Sequence, residues 1–486
     1  METERLLDEE DRFKLLILQY LEIEKNNYIH VSKLYELTGL TKFRMDNLLS
    51  DLSTDLLIFS ENPRILIDLE GIVETKNLSL KIVKKIKLEY LERSTNFALL
   101  KDMLTTQSSI EVFSKKNHLS KSQVYIKRKN LKVFLSQLGV KLKKNAFVGD
   151  EVTIRNILFS IFYDVYNGIT FPFPEEIYGL SNKLIAHYEH WLNLKMRNSE
   201  KTKLRLIIGI SFYRAGNSFT DKIFFLKEKK IESFSHYPIS IFSEFGQFTH
   251  ETIIDEIHYI LSYIVLNIEG TYPEDLVAEE VNAAFEEADR FSEEITNQIL
   301  SGLHFSKKLT EDQINKMIQT YRTLIKKSNR NRFLFDVDIR SFYFESSTQF
   351  FMETYPYITK VIRESINKTI VRWNSKRNLK SVQLFFDYIF ILFSVCPVKY
   401  LEQPVYVCID FTLGVYYNEY IRKQIEGFKQ FNLYIVDKLN ADTNIYISDC
   451  MIENLNIEQI IWKSPPTADD WEEFGNKVIE AKNKSE

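Results

Sequence analysis

Glycine and proline are scarce in this chain of 486 residues, at 14 and 10. Their scarcity disfavours β-sandwiches, barrels and Gly-rich phosphate-loop enzymes, whose turns consume both residues, and it favours helices. Cysteine is rarer still. Cys396, Cys408 and Cys450 share no paired spacing, so they are expected as buried, reduced thiols of a cytosolic protein. No P-loop, GxSxG, HExxH or paired CxxC pattern occurs, which removes the commonest signatures of nucleotide, hydrolase and zinc chemistry. Long apolar runs are missing too. The longest, YIFILFSVCPV at 388–398, is too short to span a bilayer. The opening METERLLDEEDR is acidic where a signal peptide needs an apolar core. A soluble cytoplasmic protein without membrane contact, metal or cofactor is expected.

What is present is enough apolar matter, 44% of the residues, to give several domains a core each. Charge is unevenly placed. Residues 1–150 carry 25 basic and 21 acidic side chains, whereas the whole chain is acidic by four charges. Residues 270–295 alone hold nine acids and one arginine. Residues 115–145, KKNHLSKSQVYIKRKNLKVFLSQLGVKLKKN, hold ten Lys or Arg and no acid. A basic front and an acidic remainder suggest a polyanionic partner at one end only.

Residues 11–25 have helical apolar spacing, followed by a short helix, the turn Thr38-Gly39-Leu40-Thr41 and a further helix to about Asp55. Gly39 supplies the positive φ of a tight inter-helix turn and Thr41 an N-cap. With Leu34, Leu40, Met45 and Leu48 as the apolar lock, the pattern is a helix-turn-helix. A second copy follows 79 residues later: Phe113 stands for Leu34, Leu119-Ser120 for Leu40-Thr41, and Val124 for Met45. Asn117-His118 replaces the glycine turn, and Ser120 with Gln123 makes a capping box. Short strand pairs at about 56–69 and at 139–149 outline a wing after each motif.

On a helix starting at Lys121, residues Lys121, Tyr125, Arg128, Lys129 and Lys132 share one face, with Val124, Leu131, Phe134, Leu135 and Leu138 beside them. One face can hold the fold while the other presents donors to phosphates and base edges in a major groove. Ser122 and Gln123 stand at the start of that helix, and Lys141, Lys143 and Lys144 fall on the wing. A solvated lysine-rich helix is the plainer reading; the missing acids, capping box, turn and wing favour duplex DNA. Lys42 and Arg44 occupy the first motif, as a second reader or a structural copy.

Residues 151–397 read as helical, with the acidic 270–295 segment as a linking helix between two blocks. Residues 404–486 alternate short strands (PVYVCID, LYIVD, NIYISD, QIIWK) with two helices, as in a small parallel α/β domain. His187 and His190, at i and i+3, lack a third metal ligand; plain structural histidines are the simpler reading.

Two successive winged motifs, then LSKSQVYIKRKNLKVFLSQLGVKL and GDEVTIRNILFSIFYDVY at 149–166, resemble the Mga/AtxA-type virulence regulators of Gram-positive bacteria, in order and length over the whole chain. The resemblance implies a mainly α, multidomain, cytosolic transcription regulator, an activator and not an enzyme, that binds promoter DNA and self-associates as a homodimer or higher oligomer. It implies a first winged domain at 1–90, a second at 91–165, PTS-regulation-like helical domains at 166–282 and 283–398, and an EIIB-like α/β domain at 399–486. It further implies histidine phosphorylation by HPr or EII proteins. His190 with Arg197 keeps the His-to-Arg spacing of the family's first acceptor motif, with His187 nearby. DEIHYILSY at 255–263 resembles the second, with Tyr263 at the acceptor position and His258 earlier. His304 is the histidine of the second regulatory domain, whose counterpart near 384–393 has none. The EIIB phosphate-carrying cysteine has no equivalent in the 410–416 loop, and Cys408 lies within the preceding strand, so the domain is expected to serve contacts. An RNA-binding antiterminator and a phosphotransferase component are the alternatives; the former begins with a small β domain and the latter needs the missing cysteine.

Overall fold

Leu34 of the first motif and Phe113 of the second are both buried, as are Met45 and Val124, so the two repeats lock their helices with equivalent side chains. The computed structural model describes residues 3–24, 28–217, 237–270, 272, 283–306, 308–335, 345–373 and 381–484. The chain divides into two units, Met1–Asn282 with Leu334–Arg340, and Ala283–Phe333 with Ser341–Glu486.

The first unit begins with a single turn over Thr3–Leu6 and continues through α1 (Glu9–Ile23), β1 (Ile29–His30), α2 (Val31–Thr38), α3 (Lys42–Leu56), β2 (Arg64–Ile67) and β3 (Ile72–Lys76). Gly39 closes α2 at φ +67° with its amide on the Tyr35 carbonyl, and Thr41 precedes α3 at the N-cap position. The wing lies later than the sequence suggests, at 64–76 and not at 56–69. The apolar run Leu57-Ile58-Phe59 resembles a strand. It instead unwinds the end of α3, with the Leu57 and Phe59 amides donating to the Thr54 and Leu56 carbonyls. Asp68 sets the hairpin, its carboxylate accepting from the amides of Glu70 and Ile72. Gly71 follows at φ +83°, where a Cβ would meet His30 Nε2 at 2.8 Å. The sheet is antiparallel in the order β1-β3-β2.

Then come α4 (Leu80–Arg93), α5 (Thr95–Thr105), α6 (Ile110–Lys116), α7 (Lys121–Gln137), the hairpin β4 (Lys141–Lys143) and β5 (Ala146–Val148), and α8 (Glu151–Tyr166). Asp55 of α3 ties α1 and α4 together: it accepts from Tyr90 of α4 and from Lys14 of α1. Burial opposes its ionisation, but those two donors hold its carboxyl below the usual carboxylate range. Four more helices, α9 (Glu175–Trp191), α10 (Asn198–Arg214), α11 (Ile239–Phe245) and α12 (His250–Asn267), follow in this unit.

At its centre lies an ion network without access to water. Arg155 of α8 is 1% exposed and grips Glu256 of α12 with two hydrogen bonds, 2.6 and 2.7 Å. Its Nε donates to Glu151 one turn earlier, and Glu151 also receives Arg214 of α10. Two carboxylates meet two guanidiniums in fork geometry, and the Arg155 plane lies 4.9 Å from the Tyr259 ring centre. Such a network is specific because each member is intolerable alone in a dry interior.

The second unit contains α13 (Ala283–Gly302), α14 (Glu311–Leu334), α15 (Glu345–Thr354), α16 (Pro356–Trp373) and α17 (Ser381–Val395). Of the acidic 270–295 linking helix expected from the sequence, residues 271 and 273–282 lie outside the described residues. From Ala283 onward the segment is a core helix: Phe291, Ile295 and Ile299 of α13 are fully buried against Ile325, Ile358, Ile362 and Ile389. The acids Glu286, Glu293 and Glu294 stay on its other face, leaving a clean apolar stripe.

The chain ends in β6 (Val405–Ile409), α18 (Val415–Glu426), β7 (Leu433–Val436), β8 (Ile445–Ser448), β9 (Glu458–Ile461) and α19 (Ala468–Lys484). All three strand pairs are parallel, in the order β7-β6-β8-β9. Val405, Val407 and Ile409 alternate onto one face and pack with Ile421 and Ile425 of α18 and Phe474 and Val478 of α19. Tyr406, at the opposite parity, pairs in register with Tyr434 on the other face. The fold class read from the sequence, mainly helical with a small C-terminal parallel sheet, matches this architecture. Cys396 and Cys408 are buried as expected, but Cys450 is exposed: it follows the end of β8, where the chain leaves the sheet.

Replacing Arg155 by Met would strand the Glu151 and Glu256 carboxylates in an apolar interior. We expect a loss of about 3–5 kcal/mol, read as a lower urea midpoint for loss of helical signal. Replacing Lys33, whose partner Glu36 is solvent-exposed, should leave that midpoint unchanged.

Candidate nucleic-acid interface

Ser109 caps α6 through its hydroxyl on the Val112 amide, and Asn117 ends it with a side-chain bond to the Phe113 carbonyl. His118 takes the turn at φ +53°, the left-handed geometry that Gly39 supplies in the first copy. Ser120 and Gln123 then form the reciprocal capping box, with bonds of 3.2 and 2.8 Å. The start of α7 is thus fixed by two side chains, and the rotation of the helix about its axis by Val124, Leu131, Phe134 and Leu135, all buried.

That rotation exposes Lys121, Ser122, Gln123, Tyr125, Lys129 and Lys132 and leaves Arg128 half-buried. Tyr125 and Ile126 both stand more than half exposed, so an apolar contact surface lies among the cations. The hairpin alternates as a wing should: Lys141 and Lys143 point out while Leu142 points in, opposite Phe147. Lys144 occupies the turn at φ +56°, and Asn145 anchors it through the Ser108 carbonyl at 2.6 Å.

Acids from outside the basic window reach into it. Glu111 of α6 pairs with Lys121 at 2.9 Å, and the ammonium holds the Glu111 carboxyl below its ordinary range. Asp8, ahead of α1, pairs with Lys127. Asp8 belongs to an N-terminal strap that lies on this domain throughout. Glu4 pairs with Lys87, Arg5 donates to Gln137, and the Leu6 carbonyl accepts from Asn96 at 3.1 Å. Sequence reading missed Lys127, and also the exposed Lys115 and Lys116 of α6; their basic character was visible in the window, but not their exposure. In the first motif Lys42 is exposed at the start of α3, and Arg44 is drawn to Glu9 at 3.2 Å.

The histidines differ in environment. His190 lies exposed in the last turn of α9, and Arg197 caps the next helix, where it faces Glu269. His187 is half-buried near Trp191. His258 is half-buried with Nε2 3.2 Å from the Tyr237 hydroxyl, and burial lowers its pKa from 6.5 to about 4. Tyr263 is buried edge-on to Phe335. His304 is exposed and stacks on Tyr357 at 6.0 Å.

In the last domain Cys408 is 1% exposed, and burial pushes its thiol up to about 11. The loop that follows uses its own side chains to satisfy its amides: Phe411 donates to Asn418 and Thr412 to Asp449. The Asn418 amide oxygen and the Asp449 carboxylate therefore already occupy these two backbone donors.

His258 has a depressed pKa in the folded state, so its contribution is fully present above pH 6.5 and is lost as pH falls towards about 4. The chain should lose about 1–2 kcal/mol more stability between pH 7 and pH 5 than the His258→Gln variant, measured by urea denaturation at both values.

Residues 77–163, which run from just before α4 into α8, match the family model described as the Mga helix-turn-helix domain. No curated protein matches the chain.

Proposed function

We propose that this chain, with its Mga helix-turn-helix domain at 77–163, is a DNA-binding transcriptional regulator of the Mga type. One observation carries the reading: α7 is locked by its buried face so that Lys121, Tyr125, Lys129 and Lys132 stand together in solvent, beside a wing that exposes Lys141, Lys143 and Lys144. Lysines in the groove and on the wing would meet phosphates, and Tyr125, Ser122 and Gln123 would meet base edges. Arg128, half-buried on the same helix, would add a guanidinium to this surface. The first motif, with Arg44 committed to Glu9, is the weaker reader.

The middle domains act as PTS-regulation domains and the chain as an activator that self-associates. Exposure favours His190 and His304 as acceptors for HPr or EII proteins over His187 and His258. Phosphorylation adds nearly two negative charges at the site and can bias an assembly equilibrium. The α/β domain serves contacts in this reading, which is supported by the buried Cys408 thiol and by the side-chain partners already on the Phe411 and Thr412 amides.

Arg128→Ala/Lys129→Ala should lower affinity for promoter duplex at least about 100-fold in a gel shift, with unchanged circular dichroism. Hairpin RNA should bind no better than non-specific DNA. Unchanged duplex binding by the double variant rules the reading out. For the regulatory part, incubation with phosphoenolpyruvate, enzyme I and HPr should add about 80 Da, one phosphoryl group, lost in His190→Ala/His304→Ala.

A further inference from the structure

A cleft in the second unit has no part in the DNA reading. It opens between the turn after α13 (Leu303–Ser306), the start of α16, the Val398–Pro404 connector and the tyrosine face of the parallel sheet, and encloses about 560 Å³. That volume suits a metabolite-sized ligand.

Its rim is basic. Lys308 Nζ lies 4.2 Å from the centre of the Tyr434 ring and donates to a tyrosine hydroxyl, that of Tyr434 itself. Lys399 lies 5.0 Å from the centre of the Tyr400 ring. Among the described residues, no carboxylate stands within ion-pair distance of either ammonium.

The floor is built from buried groups. Lys482 is 4% exposed, donates to the Thr354 carbonyl at 2.9 Å and stands 3.9 Å from Glu402, itself 8% exposed. Burial pulls Lys482 below its ordinary range despite that carboxylate, so a further anion beside it is electrostatically favoured. The walls are tied together by hydrogen bonds. Tyr357 donates to the Gly302 carbonyl and accepts the His304 amide at 3.1 Å, which pins the turn under the stacked His304 ring. Tyr406 and Tyr434 are 5.7 Å apart and offer flat apolar faces beside the charges.

We propose that this cleft binds a small phosphomonoester, with Lys308 and Lys399 on the phosphate and the tyrosine faces against the organic body. Lysine ammoniums act as point charges on phosphate. The two ammoniums at the rim match a dianion better than a single carboxylate, Lys482 beneath being already set against Glu402, and the aromatic walls have no use for bare inorganic phosphate. The assignment stands apart from DNA binding and from any covalent modification of His304.

The test is isothermal titration calorimetry on the full chain with glucose 6-phosphate, glycerol 3-phosphate, inorganic phosphate and glucose. At least one ester should bind, more tightly than inorganic phosphate, while glucose gives no heat. Lys308→Ala/Lys399→Ala should weaken the ester at least about tenfold, as the loss of a charge-assisted hydrogen bond requires. The melting temperature checks that this variant folds; should it fall, the single changes Lys308→Gln and Lys399→Gln replace it. Silence with both esters overturns the proposal. So does glucose or inorganic phosphate binding as tightly as the esters, or full ester affinity in folded lysine variants.

Discussion

Arg155 is the charge around which the first unit is arranged. It sits one turn into α8, near the end of the segment that matches the helix-turn-helix family, yet its two strongest bonds go to Glu256 on α12, 101 residues later. A buried guanidinium must find carboxylates with fork geometry, and here they come from α8 itself and from α12, with Arg214 of α10 closing the set. Hydrophobic packing alone would allow α8 to slide or rotate against the helical domain at modest cost. The ion network does not, because a shift of an ångström breaks bonds that no water can replace. The helix that ends the winged domain is therefore also the central strut of the domain behind it.

The second unit solves the same problem without charge. Asn329, fully buried on α14, donates to Ser292 of α13 at 3.0 Å and accepts the Tyr388 hydroxyl of α17 at 2.7 Å. Three neutral side chains register three helices. At the border of the bundle, Arg332 and Asp387 meet in a two-bonded pair that remains partly exposed. Neutral hydrogen bonds cost less to desolvate than ions and hold less when strained, so the two bundles differ in how sharply each helix is fixed.

Local signals in the sequence were legible because their physics is local. The capping box at Ser120 and Gln123, the left-handed turns at Gly39 and His118, and the equivalence of Leu34 with Phe113 and Met45 with Val124 involve residues a few positions apart or a repeated pattern. The first wing was misplaced because Leu57, Ile58 and Phe59 have strand-like composition, while the turn chemistry that decides lies at Asp68 and Gly71. The acidic stretch was read from its charge, although Phe291 and Ile295 keep helical spacing within it and place it in a core. Asp8 on Lys127 and Glu256 on Arg155 span more than 100 residues, and no spacing rule reaches that far. Exposure was equally hidden: Cys450 has the composition of a buried thiol and a position that denies it.

The acids reaching into the basic surface have a thermodynamic consequence. A lysine already neutralised by Glu111 or Asp8 carries no condensed anion to give up, and a phosphate that displaces the carboxylate leaves that carboxylate to collect a cation from solution. The phosphate sheds its own counterion in either case, but here the freed carboxylate takes one up, so the exchange releases no net ion where a bare lysine would release one. Association would thus respond to ionic strength less steeply than the number of lysines on α7 and its hairpin implies. On the proposed reading, Asp8 and Glu111 would compete with phosphates for Lys127 and Lys121.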